Sequence, residues 1–258
     1  MTSSLPAVDR RDLIEGLGKG LRVIEAFDEE HAQLTASEVA QRAGITRTAA
    51  RRYLLSLVHF GYAKSDGKQF WLAPRVLRLG QSYLDAARLP RLAQPFIQRV
   101  SAQCGHTVNV SVLDGHDVVY VARSSPPRWV TIGYAVGVRV PAHAVTPGMV
   151  ILASEPDAAL DAWVAAHDFA AFTPHTVVDR ALFREQVLRA RALGYWFAEQ
   201  QLDAGLRGLS VPLVDRRGRC RGAVGSTMPM PVYRSNEHMV EQMLPLLQEA
   251  AQSLRAVL

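Results

Sequence analysis

Hydrophobic positions recur at helical spacing early in the chain. Leu17, Leu21, Ile24 and Phe27 fall on one side of a helix, which predicts a first helix over 16–27 even though Gly18 and Gly20 weaken its first turn. Thr35 stands three residues before Glu38, the spacing of a capping box, and opens a short helix that carries Val39 and Ala40 and stops at Gly44. After Ile45, Thr46 is placed to cap a third helix running to about Phe60, with Gly61 just past its end. Helix, glycine turn, helix is the skeleton of a helix-turn-helix.

The period then shortens. The runs 62–65 and 68–72 are β-prone and are separated by Asp66-Gly67, a strong hairpin signal that reads as a wing. Pro74 suits a first helical position, and Val76, Leu77, Leu79, Tyr83 and Leu84 continue an amphipathic pattern that fades near Leu89-Pro90. The expected organisation is a head over 14–74, a linker helix over 75–88 and a larger domain over 89–258. In that domain the pattern predicts a helix over 92–103, a hairpin of 107–113 and 118–122 about Asp114-Gly115, and helices over 148–153 and 179–193. Strands follow at 195–197, 208–214 and 222–226. A final helix over 235–258 places Met239, Met243, Leu247 and Leu254 on one face, with Pro245 expected to kink or split it. The fold class that follows is α+β: a winged helix-turn-helix, a linker helix, and an antiparallel sheet with flanking helices.

Composition supports two cored parts. Of 258 residues 48% are hydrophobic and 21% charged, which is not the composition of a disordered chain. The first twelve residues are polar, without the apolar run of a secretory signal, and no segment offers the roughly 18 uninterrupted apolar residues of a membrane helix. A soluble cytoplasmic protein with no membrane partner is expected. Cys104 and Cys220 lie far apart and belong to no CxxC or Cys/His cluster, so neither a disulfide framework nor a metal site is suggested.

Charge is more informative by location than by total. The net charge is +5, yet between Arg42 and Arg78 eight basic residues face one acid, a local charge of +7 that leaves −2 for the rest. Neutralising phosphates requires basic side chains gathered on one surface, so this segregation points to double-stranded DNA. In the third helix Ala50, Tyr53, Leu54 and Leu57 share the inward side. Thr48, Arg51, Arg52, Leu55 and His59 share the other, with Arg47 on its shoulder. Arginine and threonine at the N-terminal half of such a helix can reach guanine edges, thymine methyls and phosphates. The candidate DNA contacts are therefore Thr35, Thr46, Arg47, Thr48, Arg51 and Arg52, with Lys64 and Lys68 of the wing reaching flanking phosphates or the minor groove. The alternative for Arg51 or Arg52 is an ordinary surface ion pair.

Catalytic signatures are missing: the chain has no HExxH, no GxSxG and no Walker loop, and Gly16-x-Gly18-x-Gly20 follows no strand. No enzyme activity and no cofactor are expected, although histidines and carboxylates are scattered through the second domain. A sensor whose head docks on protein is the rival from another class; it would have no need of the +7 segment.

The motifs Leu17-Gly18-Lys19-Gly20-Leu21-Arg22-Val23-Ile24, Gly44-Ile45-Thr46-Arg47, Ala49-Ala50-Arg51-Arg52-Tyr53-Leu54 and Leu72-Ala73-Pro74-Arg75-Val76-Leu77-Arg78-Leu79-Gly80 resemble the IclR family of regulators. Pro141-Ala142-His143-Ala144 with Gly148, Gly194-Tyr195 and Gly205-Leu206-Arg207-Gly208-Leu209-Ser210-Val211-Pro212 are similar to its effector domain. The paired arginines resemble most closely the branch that controls protocatechuate, 4-hydroxybenzoate and β-ketoadipate catabolism. The resemblance implies a GAF-like effector domain, a small organic acid effector, and a homodimer or dimer of dimers on a palindromic operator. Such a protein is often an activator, with RNA polymerase a further partner; a repressor of another metabolic operon is the alternative.

Carried over by position, the family pocket falls on Ala142, His143, Thr146, Pro147, Gly148, Glu199, Leu206, Gly208, Ser226 and Thr227, the last pair within one residue. A mostly apolar cleft with a few hydrogen-bond donors suits a ring or short chain bearing carboxylates. His143 could donate to a carboxylate, its alternative being a packed, hydrogen-bonded histidine. Arg139 and Arg207 are further charge candidates, with surface or interface roles as the alternative. Many relatives carry Lys or Arg after the glycine; here Met149 follows Gly148, so a cation beside the pocket is missing. Ligand binding is expected to shift the spacing of paired heads through the linker helix.

Overall fold

The computed structural model describes residues 9–126 and 133–258. The chain divides into two compact units, one ending at Ser82 and the other beginning at Tyr83.

In the first unit, α1 (Glu15–Glu25) precedes β1 (Leu34–Thr35), α2 (Ala36–Ala43), α3 (Arg47–His59), β2 (Ala63–Ser65) and β3 (Gln69–Leu72). Thr35 caps α2 as its spacing predicts: the hydroxyl accepts from the Glu38 N–H while the Glu38 side chain accepts from the Thr35 N–H at 2.7 Å, and Gly44 closes the helix in the left-handed conformation. Thr46 caps α3 through the Ala49 N–H. The wing turn is fastened by Asp66, whose Oδ1 accepts from the N–H groups of Lys68 and Gln69. The two residues of β1, too few to read from a pattern, join the wing in an antiparallel sheet of order β1-β3-β2. Val23, Val39, Ala50, Leu54 and Phe70 form the core of this unit.

The first helix departs from its expected orientation. Leu17 and Leu21 are exposed and Val23 is buried. The reason lies in the glycines: a Cβ on Gly16 would stand 3.3 Å from the Tyr53 hydroxyl, and one on Gly20 would lie 3.7 Å from the Tyr53 ring. The glycine face packs on α3, which turns the leucines outward.

A 3-10 turn (Pro74–Val76) leads into α4 (Leu77–Ala86), and the boundary between the units falls inside this helix. The second unit continues with α5 (Arg88–Cys104), β4 (Val108–Asp114), β5 (Asp117–Ser124), β6 (Arg139–Pro141), a 3-10 segment (Ala142–Ala144), α6 (Thr146–Leu152), α7 (Asp157–Ala166), α8 (Arg180–Leu193), β7 (Trp196–Glu199), β8 (Leu206–Val214), β9 (Cys220–Pro229) and α9 (Asn236–Arg255). The α5 helix starts before the expected 92 because Pro90 lies in its first turn, where a missing N–H costs nothing. Pro245 does not split α9, which is continuous; Pro245 and Glu241 are both exposed, so the carbonyl left without a helical donor faces water.

The strands form one antiparallel sheet of order β6-β5-β4-β9-β8-β7. The pleat sends alternate side chains to opposite faces. Val108, Val211, Val224 and Met228 pack with Ile97 of α5 and Met243 of α9. On the other face, Ala223 packs with Val150 and Ile151 of α6, while Leu160 of α7 and Phe183 of α8 enclose Met149 from outside. Together these elements form an α+β chain whose second unit is a curled antiparallel sheet between helical layers. Among the described residues no helix is long and apolar enough to cross a membrane.

Candidate functional sites

The surface of α3 carries the first site. Ala50 and Leu54 are fully buried, while Arg47, Thr48, Arg51 and Arg52 are exposed on the other side. The basic residues of this segment are not equivalent. Arg42 is tied down, donating from Nε to the Ala26 carbonyl at 2.6 Å and pairing with Asp28, and Arg75 lies over the Tyr62 ring, 5.3 Å from its centroid. Among the described residues none of Arg47, Arg51 and Arg52 has an ion-pair partner. Their guanidinium groups project into solvent from the helix that follows the glycine turn. Lys64 on β2 and Lys68 in the wing turn are exposed as well. The hydroxyls of Thr35 and Thr46 are occupied as caps, leaving Thr48 as the free hydroxyl of the group.

The second site is a cavity on the α6 face of the sheet, with about 390 Å³ of unfilled space counting its mouth. Tyr120 of β5 and Tyr134 form one wall, their rings stacked at 5.3 Å. The start of α6 supplies Val145, Thr146 and Pro147, and the sheet supplies Ala198, Leu206, Gly208 and Thr227. The loop between β7 and β8 closes the rim with Gln200, Gln201, Leu202 and Asp203. The Thr146 hydroxyl is paired with that of Ser210 at 2.8 Å. Burial raises both phenols well above the ordinary tyrosine range, with the Asp203 carboxylate adding to the shift, so both remain neutral.

Thr146, Pro147, Leu206, Gly208 and Thr227 therefore meet at the cavity, whereas Ala142, His143, Gly148, Glu199 and Ser226 are outside its lining. The pleat explains two of these positions. Ser226 shares the α9 face with Val224 and Met228, and its hydroxyl donates to the Thr107 carbonyl at 2.7 Å. Glu199 pairs with Arg207 at 3.7 Å on that same face. Gly148 is where α6 meets the preceding segment: a Cβ there would lie 2.0 Å from the Ala142 carbonyl oxygen.

His143 is buried in a relay of rings. Its Nε2 faces the Ala170 carbonyl at 3.0 Å, its Nδ1 faces His167 Nε2 at 2.7 Å, and His167 Nδ1 faces His116 Nδ1 at 3.1 Å. A carbonyl only accepts, so His143 carries its proton on Nε2 and accepts on Nδ1 from His167. Burial lowers the pKa of both, that of His167 to about 4.

Of the two arginines, Arg139 is an exposed surface residue paired with Asp114 and Asp117. Arg207 is buried, with its guanidinium turned to the α9 side, where it meets Asn236 and the Met230 carbonyl. Met149 is also turned away from the cavity, into the layer formed with Leu160 and Phe183. Tyr120, Tyr134 and Asp203 were not among the residues expected from motifs; alternation along β5 and the turn before Gly205 are the only local signals for them.

Residues 16–67 match the IclR helix-turn-helix domain model and residues 81–256 match that of the bacterial transcriptional regulator IclR C-terminal domain. The chain belongs to the IclR family of bacterial transcriptional regulators. Like that family, it is a DNA-binding regulator with an effector-binding domain. It is 37% identical to the p-hydroxybenzoate hydroxylase transcriptional activator of Acinetobacter baylyi, across 95% of this chain and 92% of that protein. Among solved structures it is similar to a transcriptional regulator from Rhodococcus sp. RHA1, with a TM-score of 0.83, 38% identity, and 95% and 98% of the two chains covered. It is also similar to an IclR homolog from Microbacterium hydrocarbonoxydans, solved in complex with 4-hydroxybenzoate, with a TM-score of 0.78, 25% identity, and coverage of 93% and 98%.

Proposed function

We propose that this IclR-family regulator senses a monocyclic hydroxy-aromatic acid and activates genes for the breakdown of aromatic compounds. The stacked Tyr120–Tyr134 wall carries this reading: the lining combines this aromatic wall with the apolar side chains of Pro147 and Leu206 and with hydroxyl and amide groups, a chemistry suited to a flat ring bearing polar substituents. The A. baylyi relative, named for its control of p-hydroxybenzoate hydroxylase, and the Microbacterium homolog with bound 4-hydroxybenzoate support it. Thr146, Pro147, Leu206, Gly208 and Thr227 make the effector contacts, while Ala142, His143, Gly148, Glu199 and Ser226 shape the walls from behind. The working boundaries are 14–74 for the head, 75–88 for the linker and 89–258 for the effector domain.

In the head, Arg47, Thr48, Arg51 and Arg52 read base edges and Lys64 and Lys68 hold flanking phosphates. The protein acts as a homodimer, or dimer of dimers, on a palindromic operator, and as an activator it works in the cytoplasm with RNA polymerase. The outward stripe of Ile14, Leu17 and Leu21, 77%, 64% and 46% exposed, supports self-association: an apolar row on a helix favours a partner surface over water.

DNA binding to the protein's own upstream region, at two salt concentrations and with and without 4-hydroxybenzoate, protocatechuate and β-ketoadipate, tests the proposal. The expected result is specific binding that weakens by about a thousandfold or more from 50 to 200 mM salt and changes with an aromatic acid. Salt-independent binding, or a response to β-ketoadipate alone, would overturn the DNA contacts or the aromatic effector respectively.

A further inference from the structure

The cavity is chemically lopsided. At its rim stands Asp203, an exposed carboxylate on the loop between β7 and β8, accepting a hydrogen bond from the Tyr134 hydroxyl. The loop is held in place. Gln200 has φ +52, a conformation that costs energy in a residue with a side chain. Its N–H donates to the Leu206 carbonyl at 2.7 Å, and Thr176 donates to the Gln201 carbonyl at 2.6 Å. A preorganised loop of this kind fixes where the Asp203 oxygens stand. One Tyr134 proton occupies only part of what a carboxylate can accept, so Asp203 keeps room for a second donor.

The inner wall differs. Thr227 lines it, and Asn109 of β4 stands next to it on the same face. A Cβ on Gly133 would lie 3.8 Å from Asn109 Nδ2 and 4.0 Å from Thr227 Cβ. Asn109 is 3% exposed and its side-chain oxygen has no hydrogen-bond partner among the described residues. That oxygen is an acceptor, so it calls for a donor such as water rather than for a carboxylate.

Resting on the reading of this cavity as the aromatic-acid site, we infer that Asp203 and Tyr134 read a ring hydroxyl on the effector, while its carboxylate lies inward beside Thr227, whose hydroxyl can donate to it. A carboxylate cannot sit against Asp203 without like-charge repulsion, whereas a phenolic O–H donates to it. The pair therefore makes the cavity select hydroxylated aromatic acids over the parent acid, because benzoate offers the Asp203 carboxylate no donor.

Titration calorimetry on the full-length protein tests this with 4-hydroxybenzoate, protocatechuate and benzoate against the wild type, Asp203→Ala, Asp203→Asn and Tyr134→Phe. The wild type is expected to bind a hydroxylated acid at least tenfold tighter than benzoate. Asp203→Ala should bring that ratio close to one by weakening the hydroxylated acid alone, with Asp203→Asn and Tyr134→Phe in between. Equal wild-type affinity for benzoate and the hydroxylated acids would overturn the inference and leave the aromatic-acid reading standing. A parallel loss for both ligands in Asp203→Ala would assign the aspartate to loop structure and likewise overturn it. Binding of none of the three acids to the wild type would overturn the underlying reading and this inference with it.

Discussion

The head and the effector domain use the same helices and strands in opposite ways. In the head, function sits on the outside of one helix whose inside holds the core, so a single stretch of chain specifies both: Ala50 and Leu54 fix α3, and Arg51 and Arg52 face away because of it. In the effector domain the cavity is assembled from β5, Tyr134, the start of α6, β7 to β9 and a loop. A change on the outer face of α3 should therefore alter binding without altering fold, and a change near the cavity should alter both.

Gly148→Ala tests that contrast hardest. Its new Cβ would overlap the Ala142 carbonyl, a backbone contact that cannot rotate away. We expect a loss of about 3 kcal/mol or more in effector-domain stability and loss of acid binding. Urea unfolding followed by tryptophan fluorescence measures it; an unchanged midpoint would mean that the 3-10 segment yields and that the cavity is less tightly assembled than described.

Arg51→Ala and Arg52→Ala come next. Each should weaken operator binding by about 1 to 3 kcal/mol if it reaches a base edge, or lower the salt dependence by about one ion if it holds a phosphate. Thermal stability and effector affinity should stay as they are. Fluorescence anisotropy with labelled operator at several salt concentrations separates the two roles, and a stability loss would contradict the exposed, unpaired placement of these side chains.

What could be read from the chain follows the same division. The Thr35–Glu38 box, the two faces of α3 and the Asp66-Gly67 turn depend on residues a few positions apart, and spacing alone reveals them. The orientation of α1 was hidden because Leu17 and Leu21 look like core; only the contact of Gly16 and Gly20 with Tyr53 shows which face is inside. At the cavity, Thr227 and Ser226 were one residue apart and indistinguishable, yet the pleat sends them to opposite faces of the sheet. Tyr134 and Asp203 are 69 residues apart, and no periodicity connects them.

The histidine relay gives the effector domain a pH dependence of its own. Burial keeps His143 and His167 neutral, His167 down to about 4, whereas both return to the ordinary range near 6.5 when the chain unfolds. The unfolded state then binds more protons below that range. Stability contributed by the relay is present above about pH 6.5 and is lost as pH falls toward 4. The charged groups nearest the relay, Asp117 and Asp168, oppose the shift without cancelling it. Unfolding midpoints measured from pH 7.5 to 4.5 should fall more steeply for the wild type than for His167→Phe. Parallel curves would show that other groups carry the acid sensitivity.

The smallest expected effect separates helix caps from DNA contacts within the head. Thr35 and Thr48 are both threonines near helix starts, but the Thr35 hydroxyl is engaged with Glu38, while Thr48 is exposed as the second residue of α3. Thr35→Ala should cost about 1 kcal/mol of head stability and leave operator affinity at saturating fold nearly unchanged. Thr48→Ala should do the reverse, sparing stability and weakening operator binding severalfold. If Thr35→Ala instead weakens DNA binding with no change in melting, the cap is released on the operator and the hydroxyl turns to a phosphate, which would make α2 a second contact element beside the recognition helix.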